Sequence, residues 1–285
     1  MNNTIINSIQ KEYKNSINKK YSKKYIIKNI LPIIEFISSS KKKKFLISGS
    51  QGVGKSTLLK VLEKILKTHY KLKVLSLSLD DYYMTKNERL ILSKKIHPLL
   101  KTRGVPGTHD IKKLLDNIKS FERFKYPIFL PIFNKLSDER SKLIKKINKK
   151  ADILILEGWC CGSPPISKKY LLNNINFLED IDDNNGVWRN YYNDQLKKQY
   201  AILFKFFDKT IFLKAPSFSY IYNWRLKQEK MMSYNKNKII NKRDLLFFIS
   251  HFEKITKWMI ALLPSKADLV INIDKKQKIQ EIFYN

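Results

Sequence analysis

The sequence predicts an α/β fold: a mainly parallel sheet with helices on both faces, in three α/β/α layers, with extra helices at the N-terminus. Three observations point there. Short apolar segments recur along the chain with helical stretches between most of them, the pattern of parallel strands joined by crossover helices. One of these segments runs directly into a Gly-rich turn that opens an amphipathic helix. The chain has 285 residues, 43% of them hydrophobic, which is enough for one large domain with a sizeable core.

The elements follow in order. Residues 1 to about 40 read as Lys-rich helix, with Ile5, Ile6, Ile9 and Tyr13 at helical spacing and Pro32 starting or kinking a second helix. Residues 45–48 (Phe-Leu-Ile-Ser) form a short strand. Residues 55–69 form a helix that puts Leu58, Leu59, Leu62, Ile65 and Leu66 on one face. Further strands are expected at 73–79, 151–156, 209–214 and 268–273. The segment 172–195 is rich in Asn and Asp and is expected to be a flexible insertion or loop. It leads into a helix through Tyr192, Leu196, Tyr200 and Leu203. No internal repeat is visible. The expected division is an N-terminal helical extension, 1–40, and one catalytic-size domain, 41–285.

The net charge of +31 raises nucleic acid as a partner. Its make-up argues against that. Of the 56 basic residues 49 are Lys and 7 are Arg, and the Lys are scattered through the chain rather than gathered into a groove with Arg forks. Non-specific binding of polyanions is expected, but no specific nucleic-acid partner. No apolar run reaches membrane-spanning length, so no membrane association is expected. The N-terminus lacks the apolar core of a signal peptide, and no Arg occurs in the first 50 residues, against a mitochondrial presequence. A cytoplasmic location is expected. The adjacent Cys160 and Cys161 offer no disulfide framework or zinc spacing and read as small buried residues at a strand end.

Gly49-Ser50-Gln51-Gly52-Val53-Gly54-Lys55-Ser56 matches the phosphate-loop pattern G-x-x-x-x-G-K-[ST] without a mismatch, and Thr57 follows in the same turn. Glycines let backbone N–H groups turn inward around phosphate oxygens. Lys55 is placed for the β- and γ-phosphates, and the Ser56 hydroxyl for Mg²⁺. The helix that starts there points its positive end at the anion. ATP and Mg²⁺ are therefore the expected cofactors, on a P-loop NTPase fold. Seven of the eight glycines lie in this loop or in the segments around 104–107 and 158–162.

A phosphotransferase also needs a carboxylate near Mg²⁺ and, for a hydroxyl acceptor, a base. Asp80 and Asp81 end one strand, beside Tyr82 and Tyr83. Glu157 ends another, before Gly158. In open α/β sheets ligands bind at the carboxyl ends of strands, so all three carboxylates fall on the loop's side.

Ser78-Leu79-Asp80-Asp81-Tyr82-Tyr83 resembles the Asp-x-aromatic-Tyr element of the uridine kinase, pantothenate kinase and phosphoribulokinase group. Arg103-Gly104-Val105-Pro106-Gly107-Thr108-His109-Asp110 is similar to the R-G-x-P-G-T-H-D segment of D-glycerate 3-kinases of plants and fungi. Pro131 to Ser137, then Asp138-Glu139-Arg140, resembles that family's P-x-[FY]-[DN]-K-S…D-R element. The Gly-rich stretch that usually separates Ser from D-R is shortened here. Glu157-Gly158-Trp159-Cys160 and Trp224 to Glu229 resemble its E-G-W-C and W-R-L-x-x-E elements.

The resemblance implies a helical lid and a set of roles. Asp80 would orient the acceptor hydroxyl as base. Asp81 and Glu157 would serve Mg²⁺ directly or through water, the division of labour among the three carboxylates staying open. Tyr83, Arg103, His109, Lys135 and Arg140 would hold a small, glycerate-like acceptor. Arg225 would be a lid arginine acting with Lys55 on the transferring phosphate. Two other readings stay open: a P-loop kinase for uridine, pantothenate or another hydroxyl acceptor, and a non-catalytic ATP-binding protein. The last is expected to lack acceptor residues, yet Asp80, Arg103, His109 and Glu157 are all present.

Overall fold

The computed structural model describes residues 3–233 and 241–285, with side chains described to Lys227 and again from Asn241. A six-stranded sheet organises it. Its strands are β1 (Lys44–Gly49), β2 (Val74–Ser78), β5 (Ile153–Gly158), β6 (Lys209–Lys214), β7 (Leu269–Ile273) and β8 (Ile279–Tyr284), in the order β2-β5-β1-β6-β7-β8. The first five are parallel. β8 returns antiparallel to β7 at the edge. Strands β3 (Ile128–Asn134) and β4 (Glu139–Ile147) form a separate antiparallel hairpin. The fold is thus an α/β fold with a mainly parallel sheet.

Strand pleating divides the core. Phe45, Ile47, Ile153, Ile155, Ile211 and Leu213 pack on one face of the sheet, and Leu46, Leu154, Leu156 and Phe212 on the other. The first face meets α4 (Lys55–His69), whose Leu58, Leu62, Ile65 and Leu66 are buried. The N-terminal segment covers the same face. It is three helices, α1 (Asn3–Ile17), α2 (Lys23–Asn29) and α3 (Leu31–Ser38). Pro32 lies in the first turn of α3, where its missing N–H costs nothing. Ile6, Ile9, Ile26, Ile33 and Ile34 are all buried against the α4 side of the core.

The second face carries α6 (Ile111–Glu122) and α12 (Lys242–Leu262), with α5 (Lys86–Lys95) alongside and the short helices described next. The segment 172–195 is not a flexible loop. It follows α7 (Lys168–Leu172) and holds α8 (Phe177–Ile181) and α9 (Val187–Gln195), and a turn of π-helix then leads to α10 (Ala201–Phe204). Its Asn and Asp residues, which suggested a loop, serve as helix caps. The Asn176 side chain accepts from Glu179 N at 3.1 Å, and Asp183 accepts from Trp188 N at 2.8 Å and Arg189 N at 3.1 Å. Arg189, Glu179, Asp183 and Lys254 form an ion cluster in which every side chain is buried. Helix α11 (Phe218–Ser233) follows β6 and crosses the mouth of the phosphate loop. No helix among the described residues is long and apolar enough to cross a membrane.

Candidate active site

The loop between β1 and α4 opens at Gly49, whose φ of +147° and whose position against the Leu213 carbonyl, 2.6 Å from where a Cβ would lie, exclude a side chain. Lys55 starts α4, and its Nζ donates to Gly49 O at 2.7 Å and Ser50 O at 3.0 Å. The lysine thus holds the loop's two shoulders together. Burial draws the Lys55 ammonium below its usual value, against the pull of Glu157 and Asp80.

Sheet register sets the carboxylates. Glu157 pairs in register with Ile47 of β1 and Ser78 of β2, so its side chain rises beside the loop. Its Oε1 accepts from Ser78 Oγ at 2.8 Å and from Ser56 Oγ at 3.4 Å. Burial pushes its pKa up, and Lys55 opposes the shift only in part.

Asp80 and Asp81 lie in a 3₁₀ turn, Leu79–Tyr82, directly after β2. The turn points them apart. Asp80 Oδ2 accepts from Lys135 Nζ at 2.6 Å and its Oδ1 from Tyr83 OH at 3.1 Å. Burial raises the Asp80 carboxyl, but Lys135 and Lys55 outweigh that and hold it at about 2, so it stays ionised through the ordinary pH range. Asp81 turns the other way. Its Oδ1 accepts from the Phe133 backbone N–H at 3.1 Å, anchoring the hairpin, and it does not line the cleft.

A cleft of about 110 Å³ lies among these groups. Lys55, Ser56, Asp80 and Glu157 line it together with Arg103, Lys135 and Arg225. Tyr83, Trp159, Phe248 and Phe252 close it with aromatic surface. Arg103 comes from the loop after α5 and forms an ion pair with Asp138 at the hairpin tip. Arg225, on α11, lies 5.5 Å from the Phe248 ring centre.

Two expected acceptor residues do not reach the cleft. His109 is buried behind it, stacked on Tyr83 with ring centres 4.4 Å apart, with Nδ1 2.5 Å from Tyr200 OH. Burial lowers its pKa to about 3, so it is neutral. Arg140 donates to the Tyr83 carbonyl at 3.0 Å and lies 3.5 Å from Asp110 Oδ2. Both brace Tyr83 from outside. Cys160 and Cys161 are buried thiols, and burial pushes both pKa values up.

Three residues at or beside the site have no role assigned from sequence, Asp138 being a motif member only. Asp138 binds both Arg103 and the buried Arg89, the latter at 2.8 Å. Phe248 and Phe252 lie one turn apart on α12, an i, i+4 pair that reads in sequence as ordinary core.

No protein-family model matches the chain. It is 28% identical over 262 residues to a protein named uncharacterized kinase mug58 of Schizosaccharomyces pombe, covering 86% of this chain and 91% of that one. It is 26% identical over 249 residues to the chloroplastic D-glycerate 3-kinase of Arabidopsis thaliana, covering 81% of this chain and 52% of the plant protein. Among solved structures, the D-glycerate 3-kinase of Cryptococcus neoformans superposes with a TM-score of 0.70 at 24% identity, over 99% of this chain and 97% of that one, which establishes a shared fold. The homologues of this chain thus include D-glycerate 3-kinase and pantothenate kinases, all of the P-loop uridine kinase and pantothenate kinase group.

Proposed function

We propose that this chain is an ATP-dependent kinase that phosphorylates the terminal hydroxyl of a small hydroxy acid, D-glycerate, to give 3-phosphoglycerate. The observation that carries this reading is the gathering of opposite charges in one cleft: an ionised Asp80 lines it with the phosphate-loop residues Lys55 and Ser56, and Arg103 and Lys135 line it with them. Glycerate has an anionic carboxylate at one end and a primary hydroxyl at the other. Arg103 offers a planar fork for the carboxylate, and Lys135 a second donor. Asp80 orients the hydroxyl and takes its proton as the new O–P bond forms and the γ-phosphate bond to ADP breaks. Lys55 and Arg225 offset charge on the transferring group.

Mg²⁺ suits the residues present. Among the described residues no cluster of three or more His, Cys, Asp or Glu could hold a metal ion alone. Magnesium bound with a nucleotide takes one or two protein oxygens and fills its other positions with phosphate and water. The Ser56 hydroxyl and the Glu157 carboxylate, 3.4 Å apart, would supply those oxygens. Asp81, turned to the hairpin, is left out of this reading. The kinase chemistry resides in residues 41–285, with 1–40 as a helical extension, and the working location is the cytoplasm.

The test is calorimetric. D-Glycerate titrated into protein saturated with Mg²⁺ and a non-hydrolysable ATP analogue is expected to bind, and Arg103→Ala is expected to weaken binding about 30-fold or more, the cost of leaving a carboxylate without its charged partner. Equal affinity in the variant contradicts the assignment of the acceptor carboxylate.

A further inference from the structure

The turn of π-helix between α9 and α10 spans Leu196–Tyr200 and ends on a fully buried side chain, Tyr200. We propose that Tyr200 is a positioning residue for the base: its hydroxyl fixes the tautomer and plane of His109, His109 holds the ring of Tyr83, and Tyr83 orients Asp80. The proposal rests on the reading of Asp80 as base and extends it to a residue remote in sequence.

Helix geometry explains how Tyr200 arrives there. Trp188, Tyr192, Leu196 and Tyr200 are spaced four residues apart, and all are buried. In an α-helix each such step drifts about 40° around the axis. A wider π turn at the end of the stripe takes up that drift and keeps Tyr200 on the buried face. Single π turns inside helices are frequent at functional sites. Here the Tyr200 ring meets His109 edge-on, with ring centres 5.9 Å apart.

Hydrogen bonding fixes the imidazole. Tyr200 OH accepts from Gly107 N at 3.2 Å and lies 2.5 Å from His109 Nδ1. The protons of this pair have two arrangements. If Nδ1 carried a proton and donated it to Tyr200, the phenol proton and the bare Nε2 would both be buried without a partner among the described residues. If the phenol donates to Nδ1, only the Nε2 proton is left without one. Each buried polar group without a partner is costly, so the second arrangement is favoured. Tyr200 thus donates to His109, and the imidazole carries its proton on Nε2. Burial keeps the ring neutral.

The ring so fixed lies against Tyr83, with planes 25° apart and centres 4.4 Å apart. The two backbones run side by side, Asp110 N donating to Tyr82 O at 2.7 Å and Met84 N to Thr108 O at 2.9 Å. Phe133 packs edge-on against the same Tyr83 ring at 5.2 Å. With His109 and Phe133 both on it, the ring has one seat, and from there its hydroxyl donates to Asp80 Oδ1 at 3.1 Å. Lys135 holds the other oxygen, Oδ2. A base acts only when its oxygen is aligned with the acceptor hydroxyl, and small misplacements cost rate. Tyr200 does not line the cleft, so its influence runs through His109 and Tyr83.

Tyr200→Phe removes the hydroxyl and keeps the ring. The full chain is assayed with Mg·ATP and D-glycerate, or with uridine or pantothenate if one of those is turned over instead. In the variant kcat is expected to fall about 10-fold and KM for ATP to stay within about twofold. In a Tyr83→Phe background the last link is already cut, and the same change should lower kcat by less than about twofold further. The imidazole nitrogen NMR spectrum of His109 is expected to show the proton on Nε2 in the wild type and a mixture of tautomers in Tyr200→Phe. A Tyr200→Phe protein that melts lower but keeps its kcat has lost only a structural contact, and it overturns the proposal. So do losses that multiply in the double variant, or a wild-type proton on Nδ1. If Tyr200→Phe does not fold, the wild-type spectrum decides alone. An Asp80→Asn protein that keeps full kcat, or a wild type that phosphorylates none of the three acceptors, removes the base reading and the proposal with it. A slow Asp80→Asn beside an unimpaired Tyr200→Phe removes the proposal alone.

Discussion

Lys135 Nζ donates to Asp80 Oδ2 at 2.6 Å and so ties the tip of the β3–β4 hairpin to the turn that follows β2. The pair sets the charge of the proposed base. Burial pushes the Asp80 carboxyl up, and Lys135 is the largest opposing influence that brings it down to about 2. Lys135→Met removes that influence and leaves burial opposed only by weaker ones. The Asp80 pKa is expected to rise, and with it the acid limb of the kcat/KM profile, by roughly 1–3 pH units. Asp80→Asn is expected to lower kcat about 10²- to 10⁴-fold with little change in ATP binding. A pH–rate profile of Lys135→Met that overlays the wild type would show that the limb belongs to another group.

Asp138 is the counter-charge of two arginines, one of them Arg89, which is 1% exposed. Asp138→Ala strands that guanidinium. The expected loss is about 2–3 kcal/mol in urea unfolding, below the usual cost of a broken buried pair because the Asp138 side chain is a third exposed. Burial raises the Asp138 carboxyl, but Arg89 and Arg103 hold it below the usual range. The folded state therefore binds this proton more weakly than the unfolded chain. The pair's stability is present above the ordinary carboxylate range and is lost as pH falls through the folded value. Asp138→Ala should flatten the acid side of the stability profile; an unchanged slope below pH 4 would argue against the pair.

Gly104 precedes the acceptor loop with φ of +143°, and a Cβ there would land on the Phe252 ring. Its amide donates to Thr108 Oγ1 at 3.1 Å, and its carbonyl accepts from Trp159 Nε1 at 3.0 Å. Gly104→Ala must displace α12 from the cleft wall. A loss of about 2–4 kcal/mol is expected from strain and overpacking. In protein that still folds, KM for the acceptor should rise and KM for ATP should not. Equal rises in both would place the damage elsewhere.

The phosphate loop was legible in sequence because its chemistry is local: eight consecutive residues carry it. Asp80 and Glu157 were legible because strand ends point to ligands in this topology. His109 and Arg140 were legible as motif members but not by position, since only packing decides that they brace Tyr83 instead of entering the cleft. β4 is not legible in sequence because most of its side chains are exposed and no apolar alternation marks it. The caps of α8 and α9 imitated a loop for the reason that Asn and Asp favour both. Phe248 and Phe252 join the site only through the way α12 folds back, which no local pattern records.

The acceptor is the central question, and the aromatic wall bears on it. Trp159 and Phe252 pack edge to face at 5.0 Å, and Trp159 Nε1 donates to Gly104 O, so the indole N–H is already used and does not serve a nucleoside base. Phosphoryl transfer from Mg·ATP should be measured side by side with D-glycerate, L-glycerate, uridine and pantothenate, identifying the product by mass. Formation of 3-phosphoglycerate from D-glycerate, with little or no product from uridine or pantothenate, is the expected result. Turnover of uridine or pantothenate with none of D-glycerate would contradict it.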